Sequence, residues 1–108
     1  MSDTTLNNWS DVAALAELWD GAGVEVQAQG HVLALFRVGD EVFATAPMCT
    51  HGEASLCEGF VEGHEVECPL HQGRFDLRDG TPMCAPAYEP LKTWPVRIEG
   101  GRVYVALD

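Results

Sequence analysis

Glycine-centred pairs between short apolar runs recur along this chain, and they constrain its fold more than any other feature. Gly30 separates 24–29 from 31–38, and Gly39-Asp40 separates 36–38 from 41–44. Gly63-His64 separates 60–62 from 65–68, Asp79-Gly80 follows 74–77, and Gly100-Gly101 separates 93–99 from 102–107. Two-residue connections of this kind accept the positive φ that tight hairpins need, so each predicts two antiparallel neighbours. The pattern predicts an all-β meander. One stretch differs: over 11–19, Val12, Leu15, Leu18 and Trp19 recur at helical spacing behind the capping residues Ser10 and Asp11, which predicts one helical turn or a short helix.

With 108 residues, the expectation is a single domain, 1–108. A hydrophobic fraction of 46% beside 21% charged residues is that of a globular protein, and the apolar runs are too short to span a membrane. The opening MSDTTLNNWSD lacks the basic and apolar regions of a secretory signal, which makes a cytoplasmic location the expectation. There are 17 acidic residues against 6 basic, a net charge of −11, and Lys92 is the single lysine. Phosphate binding rests on clustered Lys and Arg, so nucleic acid and anionic membrane are excluded as partners. The acid excess suits either a positively charged protein partner or solubility alone.

Segment 47–90 breaks the regular pattern. It holds all four cysteines and five of the six prolines and reads as a loop-rich insert on a β base, where sites usually lie. Inside it, Cys49-Thr50-His51 is followed after sixteen residues by Cys68-Pro69-Leu70-His71. Each arm offers one thiolate and one imidazole, so the candidate metal ligands are Cys49, His51, Cys68 and His71. Four such donors can hold a structural zinc, although zinc fingers usually group two cysteines in one knuckle. Mixed arms suit a binuclear iron–sulfur cluster better, because each loop then supplies one ligand to each iron.

The stretches Cys49-Thr50-His51-Gly52 and Cys68-Pro69-Leu70-His71-Gln72-Gly73-Arg74-Phe75-Asp76 resemble the two cluster-binding motifs of Rieske ferredoxins. Met83-Cys84-Ala85-Pro86, the run Lys92-Thr93-Trp94-Pro95-Val96 and the length are similar to the ferredoxin component of naphthalene-type aromatic-ring dioxygenases. The resemblance implies a Rieske fold, an antiparallel base carrying a loop-rich cluster-binding subdomain at about 47–90. It implies one [2Fe–2S] cluster, with Cys49 and Cys68 on the buried iron and His51 and His71 on the outer iron through Nδ1. The implied role is an electron carrier rather than an enzyme. It would be a monomer passing single electrons from a flavin-containing, NAD(P)H-dependent ferredoxin reductase to a terminal Rieske non-haem iron oxygenase. A similar small Rieske subunit of an assimilatory nitrite reductase is the alternative.

Against high-potential members of that family, the bridging-cysteine positions hold Ala54 and Leu70, and the hydroxyl positions hold Gly73 and Phe75. Fewer donors to the sulfurs predict a potential toward the lower end of about −150 to +300 mV. Glu53, Glu58, Glu62, Glu65 and Glu67 between the motifs, with no base among them, predict either an acidic ring on a docking face or a solvated hairpin. His31 and His64 read as exposed turn residues, and Cys57 and Cys84 as free small hydrophobes. Trp9, Trp19, Trp94, Phe36, Phe43 and Tyr104 read as core and edge packing. Gly52 and Gly73 would let the backbone approach the cluster.

Overall fold

The computed structural model describes residues 9–48, 55–69, 73–84 and 89–107. The strands are β1 (Trp9–Ala14), β2 (Gly23–Ala28), β3 (His31–Val38), β4 (Glu41–Thr45), β5 (Phe60–Glu62), β6 (Glu65–Glu67), β7 (Arg74–Asp76), β8 (Pro82–Cys84), β9 (Thr93–Trp94), β10 (Val96–Glu99) and β11 (Arg102–Ala106). Every strand pairing among them is antiparallel. They form three sheets, ordered β1-β11-β10, β2-β3-β4-β9 and β5-β6-β7-β8. The hairpins fall where the glycine pairs predict them. At the β10–β11 connection both Gly100 and Gly101 are left-handed, at φ 57° and 77°, a conformation that costs a residue with a Cβ about 1 kcal/mol or more.

β3 organises the packing. Its side chains alternate between faces, and Leu33, Ala34, Leu35 and Phe36 are all fully buried, so this strand is covered on both sides. Leu33 and Leu35 join Val42, Ala44, Val103 and Val105 in the core shared with the β1-β11-β10 sheet. Ala34 and Phe36 join Leu56, Val66, Cys68 and Phe75 in a second core beneath the β5–β8 sheet. The segment read as a loop-rich insert thus carries, in 60–84, a small sheet with an apolar face of its own.

Three expectations need correcting. Residues 11–14 continue β1 instead of starting a helix, because β11 offers an open edge and its ladder outcompetes a short helix. A bulge between Asp11 and Ala13 turns Ala13 inward opposite Val103, and Asp11 pairs with Arg102 at 2.8–3.2 Å instead of capping. Only Leu15–Glu17 is helical, as one 3-10 turn, with Glu17 accepting from the Ala14 N–H at 3.1 Å. The run 93–99 is not one strand: Pro95 lacks an N–H, and the chain changes sheets there, β9 pairing with β4 and β10 with β11. Trp19 lies 79% exposed, outside both cores. Arg37 donates to the Leu15 and Leu18 carbonyls at 3.2 and 3.0 Å, and Asp20 accepts from the Gly39 N–H at 2.9 Å, so the segment on either side of Trp19 is tied down by polar contacts.

Candidate metal centre

The described residues that flank the two candidate motifs are hydrogen-bonded to each other. Met48 and Ser55 form an antiparallel bridge, and the Leu56 N–H donates to the Pro47 carbonyl at 2.8 Å, closing 49–54. At the second loop the Cys68 N–H donates to the Gly73 carbonyl at 2.7 Å, just beyond the Glu67–Arg74 and Val66–Phe75 pairs of β6 and β7. The stems lie side by side. A Cβ on Gly59, three residues beyond Leu56, would stand 2.2 Å from the Glu67 carbonyl oxygen, so only glycine lets the chain just before β5 approach the residue before Cys68.

Cys68 is fully buried, in one apolar cluster with Phe36, Leu56, Val66 and Phe75. Hydrocarbon on this side and a pinned backbone N–H suit a soft thiolate ligand shielded from water, the surroundings a cluster's inner iron requires. Cys49, His51 and His71 lie outside the described residues, as do Gly52, Ala54, Leu70, residues 85–88 and the Cys84 side chain. Phe75 is fully buried and, like Gly73, brings no hydroxyl toward the second loop.

The remaining candidates take other parts. Cys57 is half-buried and unbridged and packs against the second core; burial pushes its thiol pKa up, against a hydrogen bond with Ser55, so it is a poor source of thiolate. The two turn histidines are better packed than expected. His64 Nε2 lies 2.9 Å from Glu41 Oε1, with its ring edge-on to Phe43 at 5.7 Å, while His31 stands edge-on to Trp94 at 6.0 Å. Phe36 is core; Phe43, Trp94, Trp9 and Tyr104 are half-buried.

The acidic segment meets a cation that local sequence does not reveal. Arg74, on the neighbouring strand β7, donates to Glu62 at 2.8 Å, to Glu65 at 3.1 Å and to Glu67 at 3.1 and 3.2 Å. Three of the five acids therefore share one guanidinium rather than forming a free ring. Register on adjacent strands was the missing signal: Glu67 faces Arg74 and Glu62 faces Glu65. On the next turn, Asp76 accepts from the Arg78 side chain and backbone at 2.8–3.0 Å, which holds its carboxyl below the usual range.

An open groove of about 380 Å³ between β4, β9, β10 and the turn after β7 has Phe43, Trp94, Pro95 and Ile98 in its wall. Its polar lining is Asp40, Glu41, Arg78 and Thr93, and among the described residues no Ser, Cys or His lines it. No helix among the described residues is long and apolar enough to cross a membrane.

Comparison with known proteins agrees with this arrangement. The Rieske [2Fe-2S] domain model matches residues 8–95. The ferredoxin component of a naphthalene 1,2-dioxygenase system from Pseudomonas aeruginosa is 50% identical over 100 residues, 93% of this chain and 96% of the relative. A solved complex of reduced oxygenase and oxidised ferredoxin in carbazole 1,9a-dioxygenase contains a chain 41% identical, with a TM-score of 0.84 over 92% of this chain and 93% of that one. An NADH-dependent nitrite reductase small subunit from Mycobacterium tuberculosis superposes nearly as well, at a TM-score of 0.81 over 93% and 95% of the two chains, but is 29% identical. Backbone shape is common to both branches and sequence separates them, in favour of the dioxygenase ferredoxins and of one Rieske-type [2Fe–2S] cluster over zinc. The chain belongs to the Rieske [2Fe-2S] family and, within it, to the ferredoxin components of dioxygenase systems.

Proposed function

We propose that Cys49 and Cys68 hold one iron of the cluster through thiolates, that His51 and His71 hold the other through imidazoles, and that 47–90 serves as the cluster-binding part of a single domain, 1–108. The observation that carries this reading is the buried, backbone-pinned Cys68 at the stem of the second loop, beside the stem of the first. When bound, the cluster accepts and returns a single electron. The chain supplies the apolar wall of Leu56, Val66 and Phe75 against Cys68, which excludes water, and two neutral imidazoles in place of two anionic thiolates, which make reduction easier than in an all-cysteine site.

The carrier works in the cytoplasm as a monomer. It takes electrons from a flavin-containing, NAD(P)H-dependent reductase and delivers them to the terminal Rieske non-haem iron oxygenase of an aromatic-ring dioxygenase. The ferredoxin–oxygenase complex of the carbazole system supports the second partner, and the names of the curated relatives support the system. The role needs no substrate pocket on this chain.

Electron paramagnetic resonance of the dithionite-reduced protein tests the ligand set. The expected result is a rhombic signal of low average g, with two irons and two acid-labile sulfides per chain. In His71→Ala this signal should be lost. A signal of all-thiolate type, or one that survives in His71→Ala, overturns the assignment. A redox titration should place the midpoint in the lower part of the Rieske range of about −150 to +300 mV.

A further inference from the structure

Arg74 and its three carboxylates stand at the foot of the second loop. Arg74 follows Gly73, whose carbonyl accepts the Cys68 N–H, and faces Glu67, the residue before Cys68. Glu62 comes from β5, Glu65 and Glu67 from β6, and the guanidinium from β7, so one cation spans three strands. The side chains of Arg74, Glu65 and Glu67 are between 23% and 31% exposed, so solvent screens them less than open surface charges.

Stability alone does not account for this grouping. Glu62 and Glu65 face each other in register, and Glu65 and Glu67 lie on one face of β6; like charges so placed repel. Exposed ion pairs are worth about 0–1 kcal/mol each, too little to favour gathering three acids round one base. The product of the arrangement is a fixed net charge: one guanidinium and three carboxylates sum to −2, and without Arg74 the same place would hold −3. The carboxylates raise the guanidinium pKa further, Glu62 most, so the cation persists at every working pH.

We infer that Arg74 is a positioning residue for the redox centre, holding Glu62, Glu65 and Glu67 and setting the net charge at the foot of the 68–73 loop, and through it how readily the cluster is reduced. The inference rests on the ligand reading above, which places Cys68 and His71 on the cluster. Negative charge nearby opposes an added electron and positive charge favours it. Removing the guanidinium therefore moves the midpoint potential down, and removing a carboxylate moves it up.

The test is a spectroelectrochemical titration of the cluster-loaded protein and of Arg74→Gln, Arg74→Lys, Glu62→Gln and Glu65→Gln, at low and at high salt. Expected are a more negative midpoint in Arg74→Gln, a midpoint close to the parent in Arg74→Lys, and more positive midpoints in both glutamine variants. All shifts should shrink at about 1 M salt, where the screening length is about 3 Å. An Arg74→Gln protein with full iron content and an unmoved midpoint overturns the inference. If Arg74→Gln does not fold, the two glutamine variants decide, since they keep the arginine; unmoved midpoints in both overturn it equally. Failure of the ligand reading looks different, because the parent protein would then lack the mixed-ligand resonance signal.

Discussion

The base and the small sheet solve the same problem with different forces. In the base, β3 is sandwiched between two cores, and β2, β3 and β4 pair over five or six residues each, so burial dominates. The strands β5–β8 are three residues long and bury Val66 and Phe75 on one face only; the other face carries Arg74 and its carboxylates. A sheet this small lacks the area to hold itself. It is stapled instead, by the Cys68–Gly73 bond and the Asp76 turn and, on the ligand assignment proposed above, by the cluster at its end. The lesson is that the part of the molecule nearest the candidate site has the least hydrophobic reserve and depends most on polar contacts.

The sharpest way to break this contrast is to remove the metal. Stripping iron with a chelator under reducing conditions should abolish hydrogen-exchange protection in β5–β8 while amides of β2, β3 and β4 stay protected. Equal loss in both sheets would refute it. Next comes Phe36→Ala, which opens a cavity where β3 meets the small sheet and should lower unfolding free energy by about 3–5 kcal/mol in denaturant titration, with Cys68 losing a packing neighbour.

A smaller effect separates polar staples from burial. Asp76 is buried, and Arg78 holds its carboxyl below the ordinary value of about 3.9. A depressed folded value means that its contribution is complete above the unfolded value and lost as pH falls through the folded one. Asp76→Asn should cost about 2 kcal/mol at neutral pH and much less near pH 2, flattening the acid limb of a thermal-melt series. An acid limb parallel to that of the parent would remove Asp76 from the account.

Much of the fold was legible because its cues are local. A glycine pair that needs positive φ, flanked by alternating apolar residues, predicts a hairpin without knowledge of the rest of the chain, and those at Gly39-Asp40, Gly63-His64 and Gly100-Gly101 are where they were expected. The motifs that carry the proposed ligands stand out for the same reason, since donor type and spacing sit within four residues. Local reading erred where a partner distant in sequence decided the outcome. Helical spacing over 11–19 gave way to pairing with β11, some 90 residues away, and Trp19 was left in solvent while Leu18 was taken into the core. The acids between the motifs looked unopposed until β7 brought Arg74 against them.

By itself the amino-acid order determined the antiparallel class, the turn positions and the chemistry of the four proposed ligands, because conformational preference and donor type belong to individual residues and their immediate neighbours. Tertiary structure alone decided which sheet each strand joins, that Pro95 is where the chain crosses between them, that the two loop stems stand together at Gly59, and that one guanidinium gathers three carboxylates. Those outcomes depend on register and burial, which exist only once distant segments have met.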